Sequence, residues 1–179
     1  MNFHPHLIII QMNKIIISFF LFFIFNSYSQ SIEDSNCTSI YLIRHAEKVR
    51  ENKNDKNPHL NNKGLIRAEK WNNFFKNIKL DAIYSTNYFR TLETVNPISK
   101  ENLEIQIYNP FVINYKEFIE TNKGKTVLVV GHSNTIPTFT NELLEEDFYK
   151  DIEDDNNSNL YFINICNEQD FFHALYYVN

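Results

Sequence analysis

The chain has 179 residues, with 17 lysines and arginines against 22 aspartates and glutamates, a formal net charge of −5 and 43% hydrophobic residues. The acidic balance leaves no basic footprint of the kind that holds nucleic acid. The length is that of one domain around one core.

At the start, Met12-Asn13-Lys14 supplies a short basic segment, and residues 15–25 form an apolar run broken only by Ser18. Ser27 and Ser29 then place small side chains where a signal peptidase reads. Residues 12–29 are expected to be a signal peptide, 1–11 an upstream extension from a misassigned start, 30–38 a linker and 39–179 the domain. The expected location is periplasmic or secreted. The alternative is an uncleaved anchor, although an apolar run of about eleven residues falls short of the roughly 20 that span a bilayer. Export implies an oxidising compartment, in which Cys37 and Cys166 can pair or remain two inert thiols.

Residues 39–43 read as a short buried strand running directly into Arg44-His45, where an α/β protein places ligands. A charged, Asn-rich loop follows over 50–59, with His59 expected to be solvated. From Leu60 the pattern turns helical: Asn61 or Asn62 can cap, and Leu65, Ala68, Trp71 or Asn72, Phe75 and Ile78 form the apolar face. Residues 81–84 are a second strand, with Ser85-Thr86-Asn87 suited to cap the helix that carries Arg90 in its first turn. Residues 104–108 alternate as a third strand, Asn109-Pro110 turns, and 113–121 form an amphipathic helix closed by Asn122-Lys123-Gly124. A fourth strand over 126–130 ends in Gly131-His132-Ser133-Asn134, and Asn134-Thr135 opens another helix. Residues 145–159 are acidic and expected to be a solvated excursion, near Asp154 shaping the pocket mouth. Residues 160–165 and 171–178 make a terminal β-hairpin in which His173 is structural. Gly124-Lys125-Thr126 imitates the end of a phosphate-binding loop, but Ile119 stands where its first glycine belongs, so it is a turn. The order implies a layered α/β fold. If the first and fourth strands are parallel neighbours, both histidines and an arginine face one pocket; taken singly, each of these residues reads as an ordinary surface group.

Together these pieces resemble the histidine phosphatase superfamily, with its phosphoglycerate mutase-like fold. Arg44-His45-Ala46-Glu47 is similar to its Arg-His-Gly/Ala signature. Leu60-Asn61-Asn62-Lys63-Gly64 with Ala68 resembles its first helix start, although Asn61 replaces Thr and Arg67 replaces Gln. Ser85-Thr86-Asn87-Tyr88-Phe89-Arg90 with Thr94 resembles its second arginine motif, and Gly131-His132-Ser133 its second histidine. The resemblance implies a three-layer α/β sandwich with a mostly parallel sheet. It also implies a phosphatase in which His45 becomes phosphohistidine, Arg44 and Arg90 hold the phosphoryl oxygens, and a protonated His132 stabilises them, with Asn134 nearby. A backbone carbonyl is expected to fix the His45 tautomer. Positioning and charge carry such a reaction, so no metal or other cofactor is expected. The expected partner is a small phosphorylated substrate, with membrane contact only through an uncleaved signal segment.

One role has no clear holder. The resemblance calls for a carboxylic acid to protonate the leaving alkoxide, and Glu104, Asn109, Glu117 and Glu47 are the residues on offer, of which Asn109 cannot transfer a proton. A missing acid suits a leaving group that departs unaided, including the imidazole of a phosphohistidine, a substrate against which export argues. The other alternative is a non-catalytic binder of phosphorylated ligands, against which the retained His45 argues. A mutase and a structural envelope protein fit less well.

Overall fold

The computed structural model describes residues 37–99, 103–167 and 171–179. The expected upstream extension, signal peptide and linker up to residue 36 lie outside the described residues. The elements, in order, are β1 (Thr38–Arg44), α1 (Asn62–Phe75), β2 (Ala82–Ser85), α2 (Phe89–Val95), β3 (Ile105–Ile107), α3 (Tyr115–Thr121), β4 (Thr126–Gly131), α4 (Thr135–Leu144), β5 (Asn159–Ile165) and β6 (Phe171–Tyr177).

The six strands form one sheet in the order β3-β2-β4-β1-β5-β6. The strands β1 to β4 are mutually parallel, and the β5–β6 hairpin adds antiparallel to β1. The central strands are apolar on both faces because both are covered. Ile40, Leu42, Val127 and Val129 pack with Phe118 of α3 and Ile136 and Phe139 of α4. Their neighbours Ile43, Leu128 and Val130 pack with Trp71 and Phe75 of α1 and Val95 of α2. Alternation along each strand thus feeds two cores, and the result is the three-layer sandwich expected. Each fully buried aliphatic or aromatic side chain contributes roughly 1.5–3 kcal/mol.

Several local expectations are corrected. Strand β1 begins at Thr38, inside the expected linker, and continues through Arg44. Strand β2 is displaced by one residue because Asp81 lies ahead of it, its carboxylate accepting from Thr126 N at 2.9 Å. Leu65 is 51% exposed; the buried stripe of α1 is Gly64, Ala68, Trp71 and Phe75, because a glycine makes the closest approach. None of Ser85, Thr86 and Asn87 caps α2; Tyr88 occupies that position without a side-chain bond. Residues 145–158 are exposed at most positions, but Ile152 and Asn157 are buried there and Asn159 already belongs to β5. His59 is exposed but not merely solvated: it pairs with Glu93 and stacks on Phe89 at 4.2 Å.

Cys37 and Cys166 form a disulfide one step beyond the Thr38–Ile165 rung that pairs β1 with β5. Helix α1 is fastened to the loop after β1. Asn61 caps it by accepting from Gly64 N at 2.9 Å, donates to Lys48 O at 3.1 Å, and its backbone N–H donates to Glu47 O. A Cβ on Gly64 would lie 2.1 Å from Glu47 O, a backbone atom that cannot rotate away. Gly64→Ala is therefore expected to cost about 1–3 kcal/mol by overpacking. Urea unfolding of the oxidised protein measures this, and an unchanged midpoint would contradict the contact.

Candidate active site

The register of β1 on β4 sets Arg44 opposite Gly131, so the next residues, His45 and His132, emerge side by side. His45 N–H extends the ladder to Gly131 O at 2.9 Å, and the two imidazole centroids lie 5.5 Å apart. They open into a cleft of about 740 Å³ whose lining includes Arg44, Lys48, Arg90 and Asn134. The four expected residues Arg44, His45, Arg90 and His132 thus share one site, with Asn134 at its wall.

His45 is 3% exposed, and its Nδ1 lies 2.7 Å from Ala46 O. A carbonyl only accepts, so Nδ1 carries the proton and Nε2 keeps a free lone pair. Its loop is held from two sides: Asn157 Nδ2 donates to His45 O at 2.8 Å, and Ala46 N donates to Thr94 Oγ1, which donates in turn to Arg90 O. The nucleophile candidate and the second arginine are therefore braced on each other through α2.

His132 is placed from its backbone by a bond to Thr135 Oγ1 and from its ring by Thr86 Oγ1 at 3.0 Å from Nε2. Arg90 Nη2 approaches Nδ1 at 3.4 Å as donor, which leaves Nε2–H to donate to Thr86. The Arg90 guanidinium also rests over the Tyr88 ring, 4.4 Å from its centroid.

Arg44 is 2% exposed and clamped by the segment before β5: Nη1 donates to Glu153 O and Asn156 O, each at 2.8 Å, and Nη2 to Asp154 at 3.2 Å. Asp154 is itself gripped by Arg50 at 2.7 Å. Against this bonding, the Nε–H groups of both Arg44 and Arg90 are buried without a partner. Both arginines also line the cleft, and two guanidinium groups there suit an anion.

Burial lowers the His45 pKa to about 2, assisted by repulsion from His132, Arg44 and Arg90 and opposed by the Ala46 bond. Burial likewise lowers His132 to about 4, with Arg90, Arg44 and Lys48 adding repulsion. The expectation of a protonated His132 is thus corrected for the free protein, where three nearby cations already occupy the site. Nor do the expected acids reach the cleft. Glu47 is bound by both Arg67, at 3.0 Å, and Lys63, at 3.5 Å; Glu104 and Glu117 are not among the lining residues, whereas Asn109 is. The carboxylate in the lining is Asp154, held below its ordinary pKa by Arg50 first and Arg44 second.

Sequence reasoning set the segment near Asp154 at the pocket mouth, where Asp154 lines the cleft, but missed its hold on Arg44, and it gave Thr86 and Lys48 no role in the site. The clamp had a signal: Asp154-Asp155-Asn156-Asn157 immediately precedes a strand that pairs antiparallel with β1, which returns it to Arg44.

Neutral histidines give a sign to pH dependence. The unfolded chain binds protons on these rings near the ordinary value of 6.5, and the folded chain does not, so stability falls as pH drops through that value. Imidazole ¹⁵N shifts of His45 and His132 are expected to stay neutral from about pH 8 to about pH 5. A midpoint near the ordinary value for either ring would contradict the burial argument.

The family model described as the histidine phosphatase superfamily (branch 1) matches residues 40–111. No curated protein sequence matches the chain. Among solved structures, the chain is similar to the protein histidine phosphatase SixA complexed with tungstate, with TM-score 0.62 and 13% identity over 78% of this chain and 96% of that one. It is also similar to phosphoglycerate mutase from Bacillus anthracis, with TM-score 0.57 and 17% identity over 81% and 94%. Phosphoserine phosphatase from Entamoeba histolytica, in complex with 3-phosphoglyceric acid, aligns with TM-score 0.53 and 19% identity over 70% and 89%. These likenesses show a phosphoglycerate mutase-like fold.

Proposed function

We propose that the chain belongs to the histidine phosphatase superfamily and is an exported phosphatase that works through a phosphohistidine on His45. The observation that carries this reading is the bare Nε2 of a buried, neutral His45 set beside Arg44 and Arg90, two cations with unpartnered Nε–H groups.

A phosphomonoester brings up to two negative charges that repel a nucleophile, and each arginine contact offsets this by roughly 1.5–3 kcal/mol. His45 Nε2 attacks phosphorus as the ester oxygen departs, and the carbonyl of Ala46 keeps the developing imidazolium oriented through Nδ1–H. The dianion offsets the cations around His132, raising its pKa so that it takes up a proton and donates to the phosphoryl oxygens. Water then cleaves the P–N bond and returns His45 to its neutral tautomer. Side chains supply the positive charge, and among the described residues no cluster of three or more His, Cys, Asp or Glu side chains is suited to hold a metal.

Export rests on the sequence of residues 12–29, and the Cys37–Cys166 disulfide fits an oxidising compartment. A second reading, hydrolysis of a phosphohistidine, draws on the tethering of Asp154 and Glu47, since a P–N bond can break without a carboxylic acid. The similar structures carry names of phosphatases and a mutase, all with phosphoryl groups as their business.

Hydrolysis of para-nitrophenyl phosphate in EDTA tests the reading, because its acidic leaving group needs no proton donor. Turnover is expected, with His45→Ala lowering kcat by about 10³-fold or more. Equal turnover by folded His45→Ala, or loss of activity on adding EDTA, would overturn it.

A further inference from the structure

Lys48 is the one protonated amine in the cleft lining, and nothing so far gives it a role. It lies three residues after His45, and its backbone is fixed by a bridge to Leu60 and by Asn61 Nδ2 on its carbonyl. Its side chain is half-buried, yet Nζ has no hydrogen bond or ion pair among the described residues. The nearby carboxylates are taken, Glu47 by Arg67 and Lys63, Asp154 by Arg50 and Arg44.

Other candidates for releasing a proton to a leaving oxygen are engaged: His132, once protonated, donates to the phosphoryl oxygens in the reading above, and Asp154 is held ionised by Arg50 and Arg44. Arginine does not give up its proton in a protein. Tyr108 donates its hydroxyl to Val130 O, and burial raises its pKa, opposing release. Asn109 cannot transfer a proton.

We propose that Lys48 is the general acid for the leaving alkoxide and the general base for the water that follows, which makes unactivated alkyl phosphates substrates of this site. The proposal rests on the phosphatase reading. In the first step the bond from His45 Nε2 to phosphorus forms, the P–O bond to the leaving group breaks, and a proton passes from Lys48 Nζ to the departing oxygen. In the second, neutral Nζ takes a proton from water as the new P–O bond forms and the P–N bond breaks, which restores the ammonium. Burial, together with Arg90, Arg50 and Arg44, lowers the Lys48 pKa against an opposing pull from Asp154, so the amine is a better acid than a solvated lysine.

The test compares propyl phosphate with para-nitrophenyl phosphate in the full-length protein and in Lys48→Met and Lys48→Arg, each checked for an unchanged melting midpoint. Lys48→Met is expected to lower kcat/KM for propyl phosphate by about 10²-fold or more, the range of general acid catalysis, and to change that for para-nitrophenyl phosphate by less than about 5-fold. Lys48→Arg keeps the charge but cannot release a proton, so it is expected to remain as slow on propyl phosphate as Lys48→Met. Equal losses on both esters, rescue by arginine, or a wild-type protein that cleaves only the activated ester would overturn the assignment. A wild-type protein inactive on both would instead fell the phosphatase reading and the inference with it.

Discussion

The site depends on the parallel pairing of β1 with β4 in a single register, Arg44 opposite Gly131. A slip of one residue would turn every side chain of β1 to the wrong core. Both faces are buried, Ile40 and Leu42 toward one pair of helices and Ile43 toward the other, so packing forbids the slip. What fixes the core therefore fixes the distance between the two imidazoles. Gly131 serves this closeness as well, since a Cβ there would meet Tyr108 Oη at 2.8 Å and Ile136 Cδ1 at 2.9 Å.

Electrostatics follows from the same burial. Arg44, Lys48 and Arg90 gather around rings that burial has already turned against protonation, so a histidine in the free protein is not a fourth cation. Holding buried guanidinium groups requires partners, and the protein supplies mostly backbone: two carbonyls from 153–156 on Arg44, with Asp154 shared with Arg50. Carbonyl partners orient a guanidinium without neutralising it. The positive charge stays available to an incoming anion.

The parts of this arrangement legible in the sequence were those with short-range signals. Apolar runs ending in Arg44-His45 and Gly131-His132 marked strands and their reactive ends, and Asn61 marked a helix start that the structure confirms by its bond to Gly64 N. What stayed illegible was long-range. Residues 145–158 are polar and acidic, which reads as solvated, but their polar groups serve buried ones: Asn157 bonds the carbonyl of His45, 112 positions away in the chain. Leu65 misled for a related reason, because periodicity assigns the buried stripe to large residues, whereas the closest approach in α1 is made by Gly64 against a backbone carbonyl. The charge of His132 could not be read from its type either, since its neutrality comes first from burial and then from the repulsion of Arg90, Arg44 and Lys48.

The proposed function rests on one atom, Nε2 of His45, as the acceptor of a phosphoryl group. The most direct test is to mix the full-length protein with ³²P-labelled phosphoester, quench within the first turnover in alkali, and map the label by mass spectrometry of the digested chain. The account predicts an acid-labile, alkali-stable phosphoryl group on the peptide containing His45, formed and consumed at rates matching turnover. Product release with no labelled histidine, or label on another residue while His45 stays unmodified, would contradict it.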